Sequence, residues 1–87
     1  MMDRAEVVRK VNSVLVDEFE VEDDLLVPEA TLYDELDFDS LDAVDLVAAL
    51  EREFVMKIDR QDAEKEIREI RTLGDVYDFV ERTLAAS

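Results

Sequence analysis

The chain has no cysteine, no histidine and no tryptophan, and a single glycine and a single proline in 87 residues. Without cysteine there is no disulfide scaffold and no thiolate metal site, a composition that fits a reducing, cytoplasmic setting. Without histidine or cysteine, a self-contained Ser-His-Asp or Cys-His nucleophile is impossible. With Gly74 and Pro28 alone as strong breakers, and with no alternating apolar run, nothing points to strands. No apolar run approaches the roughly 20 residues of a membrane span, and Met1-Met2-Asp3-Arg4 does not open as a signal peptide does. What is present is enough apolar material for a core, 48% of residues, so disorder is not expected despite the charge. The length suits one small domain over residues 1–87, acting as a monomer.

Bases are the second scarcity. The net charge is −15, and between Val11 and Glu51 there is no Lys or Arg at all against fourteen Asp and Glu. The remaining positions hold eleven acids and ten bases, a net of −1. Such a field repels nucleic acid and anionic membrane, and it draws in basic protein surfaces at a salt-dependent rate, so neither nucleic acid nor a membrane span is expected.

Periodicity predicts an all-α fold, a small helical bundle of three main helices plus a shorter third element. Asp3 with Glu6 fits a capping box ahead of Val7, Val8, Val11, Val14, Leu15 and Phe19, which predicts a first helix from Asp3 to about Asp17. Residues 18–39 read as a long loop, with a short helical turn around Thr31, Leu32 and Leu36. Its apolar members Leu25, Leu26, Leu32, Leu36 and Phe38 mark it as packed rather than free. A second helix is expected from Ser40, capped by Asp39, to about Phe54. A third element opens at Asp59 or Arg60 and ends near Arg71. A final helix follows the Thr72/Asp75 capping box and carries Val76, Tyr77, Val80 and Leu84.

The second helix has two apolar stripes at 100° per residue. Ala43, Leu46, Val47, Leu50 and Phe54 form an ordinary core stripe. Leu41, Val44 and Ala48 form a surplus one on the opposite side, beside Asp42, Asp45 and Arg52. A small bundle buries one face of a helix, so the surplus stripe fits partner docking, with acids alongside for steering and register. Ser40 stands at the head of this helix among Asp34, Glu35, Asp37, Asp39, Asp42 and Asp45. A hydroxyl in dense carboxylate is poorly placed to act on an anionic substrate and well placed for presentation to a basic enzyme that modifies it.

The stretch Asp39-Ser40-Leu41-Asp42-Ala43-Val44-Asp45-Leu46-Val47-Ala48-Ala49-Leu50-Glu51-Arg52-Glu53-Phe54 resembles the second helix of acyl carrier proteins. Asp62-Ala63-Glu64-Lys65 and Leu73-Gly74-Asp75-Val76 resemble the later helices of that family. The resemblance implies that Ser40 bears a covalent 4′-phosphopantetheine arm derived from coenzyme A, and that the chain is a non-catalytic carrier. Its partners would be a phosphopantetheinyl transferase and acyl synthases or transferases with basic docking surfaces. It further implies docking through Asp39, Asp42, Asp45 and Glu51 with Leu41, Val44 and Ala48. Leu46, Val47, Leu50 and Phe54 would line an interior where acyl chains shelter. No metal ligand set is implied. Fatty acid, lipid or polyketide biosynthesis would be the setting.

Several positions depart from the family pattern. Asp37 stands where Gly is common, Phe38 where a small residue is frequent, Val55 where Gly usually follows Phe54, and Asp59 where Pro is common. Arg52 interrupts the acids that often end the helix. The segment Asp62 to Arg71 looks about one helical turn longer than the family's third helix. Five bases and five acids make Lys57 to Arg71 neutral, and together these features suggest a specialised member. A peptidyl or D-alanyl carrier shares the arm but not the acidic D-S-L-D context. An unmodified carrier-like adaptor is the remaining alternative. An EF-hand starting at Asp37 fails, lacking an oxygen ligand at Leu41, Gly at Asp42 and Glu at Ala48.

Overall fold

The structure, a computed structural model, describes residues 3–86; Met1, Met2 and Ser87 lie outside the described residues. Four α-helices follow one another: α1 Arg4–Phe19, α2 Ser40–Phe54, α3 Arg60–Glu69 and α4 Leu73–Ala86. A single 3-10 turn, Asp23–Leu25, interrupts the long connection between α1 and α2. Helix α1 packs on α2 and α4, and α3 closes over α2.

Each start has a side-chain cap. Asp3 accepts from the Glu6 N–H at 2.9 Å and opens α1. Asp59 accepts from the Gln61 N–H at 2.8 Å and opens α3. At α4, the Thr72 hydroxyl accepts from the Asp75 N–H while the Asp75 carboxylate accepts from the N–H groups of Thr72 and Arg71 at 3.1 and 3.0 Å. These bonds to the charged form, the Arg71 amide first, hold the Asp75 carboxyl below the ordinary aspartate value.

The core is one cluster drawn from α1, α2, α4 and the long connection. Val7, Val11, Val14 and Leu15 supply α1, and Leu73, Val76, Tyr77, Phe79 and Val80 supply α4. The connection packs as its apolar content predicts, with Leu32, Leu36 and Phe38 buried and Leu25 and Leu26 half-buried. It is tied to the α3–α4 junction by backbone bonds from Leu32 N to Arg71 O and from Leu73 N to Ala30 O, each 2.9 Å. Gly74 matters here: its N–H reaches Pro28 O at 2.9 Å, and a Cβ would stand 3.2 Å from that oxygen.

Two sequence boundaries shift. Helix α1 runs two residues past Asp17 because Phe19 packs against Phe38, ring centroids 5.1 Å apart. Helix α3 stops at Glu69, short of Arg71. Ile70 turns extended to enter the core, and Arg71 is drawn into the bonds that seat Leu32 and Asp75. The turn at Thr31–Leu36 forms through Glu35 N and Leu36 N to Thr31 O, without becoming a helix.

Helices α1 and α2 end alike. The N–H of Val21 bonds Leu15 O, and that of Met56 bonds Glu51 O; both side chains are buried. At α2 this is the Schellman closure, spanning five residues. At α1 the fold-back spans six, with the Glu20 N–H on the same Leu15 oxygen. Both place a left-handed residue just before the buried one. Those residues are Glu20 at φ 56° and Val55 at φ 50°. Left-handed backbone costs an L-residue roughly 1–2 kcal/mol, most for a β-branched one.

Two tests follow. Val55→Gly relieves strain and adds chain entropy to the unfolded state, a net gain of about 1 kcal/mol and a melting temperature roughly 4–8 °C higher. An unchanged or lower melting temperature would contradict the strain. Asp75→Asn weakens the cap of α4 by about 1 kcal/mol at neutral pH. Because the folded-state value of Asp75 is depressed, that difference holds above the unfolded aspartate value and disappears as pH falls through the folded one. Parallel denaturant titrations of the two proteins from pH 7 into the acid range check this.

Candidate functional site

Ser40 is the first residue of α2, and the bonds around it explain why the helix starts there. The Asp39 carboxylate accepts from the Asp42 N–H at 2.9 Å, and the Asp42 carboxylate accepts from the Asp39 N–H at 3.2 Å. This is a reciprocal capping box with Asp in both places. Ser40 lies between them, exposed, and none of the side-chain hydrogen bonds around it uses its hydroxyl. Upstream, Asp37 takes a left-handed φ of 60°, the backbone for which glycine is the unstrained residue. Phe38 is buried against Phe19, so the approach to Ser40 is anchored from inside.

The two stripes of α2 separate as the helical wheel predicts. Leu41 is 74% exposed and Val44 54%, and Ala48 is exposed with them. Burial of Leu41 under the long connection does not occur. Asp39 and Asp45 are exposed beside this strip. Asp42 and Glu51 are only half-exposed and have local work. Asp42 caps the helix, and the Glu51 carboxylate accepts from the Ile58 N–H at 3.3 Å. Arg52 turns away to Glu18, at 2.7 Å, an exposed pair of small energetic weight.

On the opposite side of α2 an apolar cavity, partly open to the surface, lies between α2, α3, α4 and the long connection. Leu46, Val47 and Leu50 line it, joined by Ala43 and by Tyr33, Ile67 and Phe79 from other elements. Phe54 does not line it. Its ring is buried and lies under the Lys10 ammonium, 5.9 Å from the centroid, which places it toward α1. The free volume is only about 10 Å³, at the threshold for a single water molecule. No charged side chain borders it.

Ser40, Ala43, Val47 and Leu50 stand on one helical face at offsets of three, seven and ten residues. At 1.5 Å per residue the cavity wall therefore runs from about 4.5 to about 15 Å along the axis from Ser40. The serine heads an apolar seam. As a phosphodiester anchor it suits a tether more than a cradle. The helix N-terminus favours an anion, but the box already uses the Asp42 N–H and sets two carboxylates beside the serine. The Tyr77 hydroxyl, by contrast, is a packing feature. Burial pushes its pKa up, and it donates to the Asn12 side chain.

Comparison with known proteins agrees with this geometry. The family model described as the phosphopantetheine attachment site matches residues 9–80. The acyl carrier protein of Thermosynechococcus vestitus is 39% identical over 85 residues, 98% of this chain and 100% of that protein. The acyl carrier protein of Thermotoga maritima is 40% identical over 84 residues, 97% of this chain and 99% of that protein. A crystal structure of an acyl carrier protein from Thermotoga maritima superimposes with a TM-score of 0.77 at 30% identity, covering 98% of this chain and 94% of that one. Matched nearly end to end in sequence and in fold, the chain belongs to the acyl carrier protein family, and its prosthetic group is 4′-phosphopantetheine.

Proposed function

We propose that Ser40 carries the arm, and that residues 1–87 act as one monomeric carrier domain in the cytoplasm. The domain would hold acyl intermediates as thioesters between enzymes of fatty acid, lipid or polyketide biosynthesis. The observation that carries this reading is the position of Ser40: exposed, at the first residue of α2, one turn ahead of an apolar cavity. When bound, the arm supplies a terminal thiol for thioester formation.

The residues divide the work. Loading needs a partner transferase: the chain has no histidine or cysteine, and the two carboxylates beside Ser40 are engaged in capping α2. The Ser40 oxygen attacks the pantetheine-bearing phosphorus of coenzyme A, and the pyrophosphate bond breaks. Adenosine 3′,5′-bisphosphate leaves, and the hydroxyl proton passes to a base of the transferase, whose Mg²⁺ would offset the developing phosphate charge. Leu41, Val44 and Ala48 give the transferase and later enzymes an apolar contact, while Asp39 and Asp45 steer basic surfaces onto it. Asp42 and Glu51 add to the field but act first in holding α2 and the α2–α3 connection. The uncharged lining of the cavity supports an acyl cargo over an aminoacyl one. The strained Asp37 and Val55 at either end of α2 support a specialised member.

Incubation with coenzyme A, Mg²⁺ and a broad-specificity phosphopantetheinyl transferase adds one phosphopantetheine increment to the intact mass of the wild type and none to Ser40→Ala. The variant keeps its fold, with stability within about 0.5 kcal/mol. Loading of Ser40→Ala would refute the assignment. Asp45→Lys, chosen because Asp45 caps nothing, slows the same reaction about fivefold at low salt, the equivalent of about 1 kcal/mol. It also flattens the dependence on ionic strength. Equal rates across a salt series would remove Asp45 from docking.

A further inference from the structure

Beyond the apolar cavity lies a second space, an open hollow of about 360 Å³ between the α2–α3 connection, α3 and α4. Its walls include Ile58, Lys65, Arg82 and Ala86. The two spaces share one residue, Phe79. We infer that Phe79 is the specificity-determining residue for acyl length, the end wall that limits how long a chain this carrier shelters. This rests on the reading of Ser40 and the cavity proposed above.

The order of the walls carries the argument. Along α2 the cavity is lined by Ala43, then Val47, then Leu50, moving away from Ser40. The hollow takes over past the end of α2, at Lys57 and Ile58. Helix α4 shows the same order: Val76 and Phe79 face the cavity, and Phe79, Thr83 and Ala86 face the hollow. Their spacing of three, four and three residues keeps them on one helical face. A chain entering from Ser40 meets the Phe79 ring last, with the hollow behind it.

The ring is a hard stop where the rest of the wall can give: the other ring, Tyr33, is exposed and free to swing outward, and the remaining side chains are aliphatic. With about 10 Å³ free, an acyl chain must displace side chains to enter. Sideways it meets α3, which has no buried residue among those described and is held at its outer face by the Glu66–Arg82 pair at 3.0 Å. Aliphatic walls yield by changing rotamer, and α3 yields by shifting. Phe79 is buried, and a flat ring in a packed core has no thinner shape to adopt. Shortening it would join cavity and hollow into one chamber.

The test loads the wild type, Phe79→Leu and Phe79→Met with saturated even-numbered acyl chains, butyryl to palmitoyl. Transfer of the acyl-phosphopantetheine group from each acyl-coenzyme A to Ser40, with adenosine 3′,5′-bisphosphate leaving, installs each chain as a thioester on the arm. The readout is the gain in melting temperature over each protein's own unacylated holo form, which cancels the intrinsic loss from a smaller core residue. In the wild type the gain rises with chain length and then levels off; in both variants it levels off at a longer chain. In the wild type, the Phe79 ring resonances shift only once the levelling length is reached. An identical levelling point in all three proteins, or ring resonances indifferent to chain length, would overturn the role of Phe79 and leave the carrier reading standing. A wild type that loads but gains nothing from any chain would instead overturn the sheltering cavity, and failure to load would overturn Ser40.

Discussion

The reciprocal bonds between Asp39 and Asp42, 2.9 and 3.2 Å long, determine where α2 begins, and the site is built out from that point. They make Ser40 the first helical residue. They also set the phase from which Ala43, Val47 and Leu50 turn inward while Leu41, Val44 and Ala48 turn out. Two neighbouring carboxylates repel, yet here each accepts a backbone N–H at the positive end of a 15-residue helix. That environment favours negative charge by a few tenths to about 1 kcal/mol per group. The acids around the serine therefore have a reason to exist in the isolated fold, before any partner approaches.

Stability is spread unevenly around α2. Helices α1, α2 and α4 each commit several buried side chains, whereas α3 commits none among the described residues and relies on half-buried Ala63 and Ile67, a cap and the Glu66–Arg82 pair. Strain is placed with similar selectivity. Asp37 precedes α2 and Val55 ends it, both left-handed without being glycine. The surrounding structure holds them there: Phe38 is anchored on Phe19, and Met56 is buried in the closure of α2. A firm platform with one lightly held wall is what a core needs if it is to admit a guest without unfolding.

The reach of the sequence can be judged residue by residue. Helix α2 was legible down to its cap because propensity, periodicity and Asp39 agree. The two faces of that helix were legible because 100° per residue is geometry, independent of partners. What each inward residue touches was not. Phe54 belongs to the same stripe as Leu50, but the path of α1 claims it. Tyr33, Ile67 and Phe79 reach the cavity from three segments distant in sequence, and no local pattern announces that meeting. The end of α3 was misplaced because Ile70 reads as one more helical apolar position until its tertiary burial and the ties of Arg71 outweigh helix propensity. The double role of Asp42 was available in the spacing of Asp39 and Asp42, since a three-residue gap is the signature of a capping box.

The charge of this carrier acts through its placement more than its total. Nearly all of the −15 lies between Val11 and Glu51, while α3 and its flanks are neutral. At physiological ionic strength the screening length is about 8 Å, well under the roughly 22 Å that 15 helical residues span at 1.5 Å each. A partner close to Ser40 therefore responds to Asp39 and Asp45 and hardly to acids at the far end of the helix. On the proposed reading the field orients as well as attracts: a basic surface would be drawn to the end of α2 that holds the serine, where Leu41 and Val44 are exposed beside the acids for apolar contact. On the same reading the neutral α3 side would draw no such approach, leaving the lightly held wall of the cavity free to move while a partner is seated.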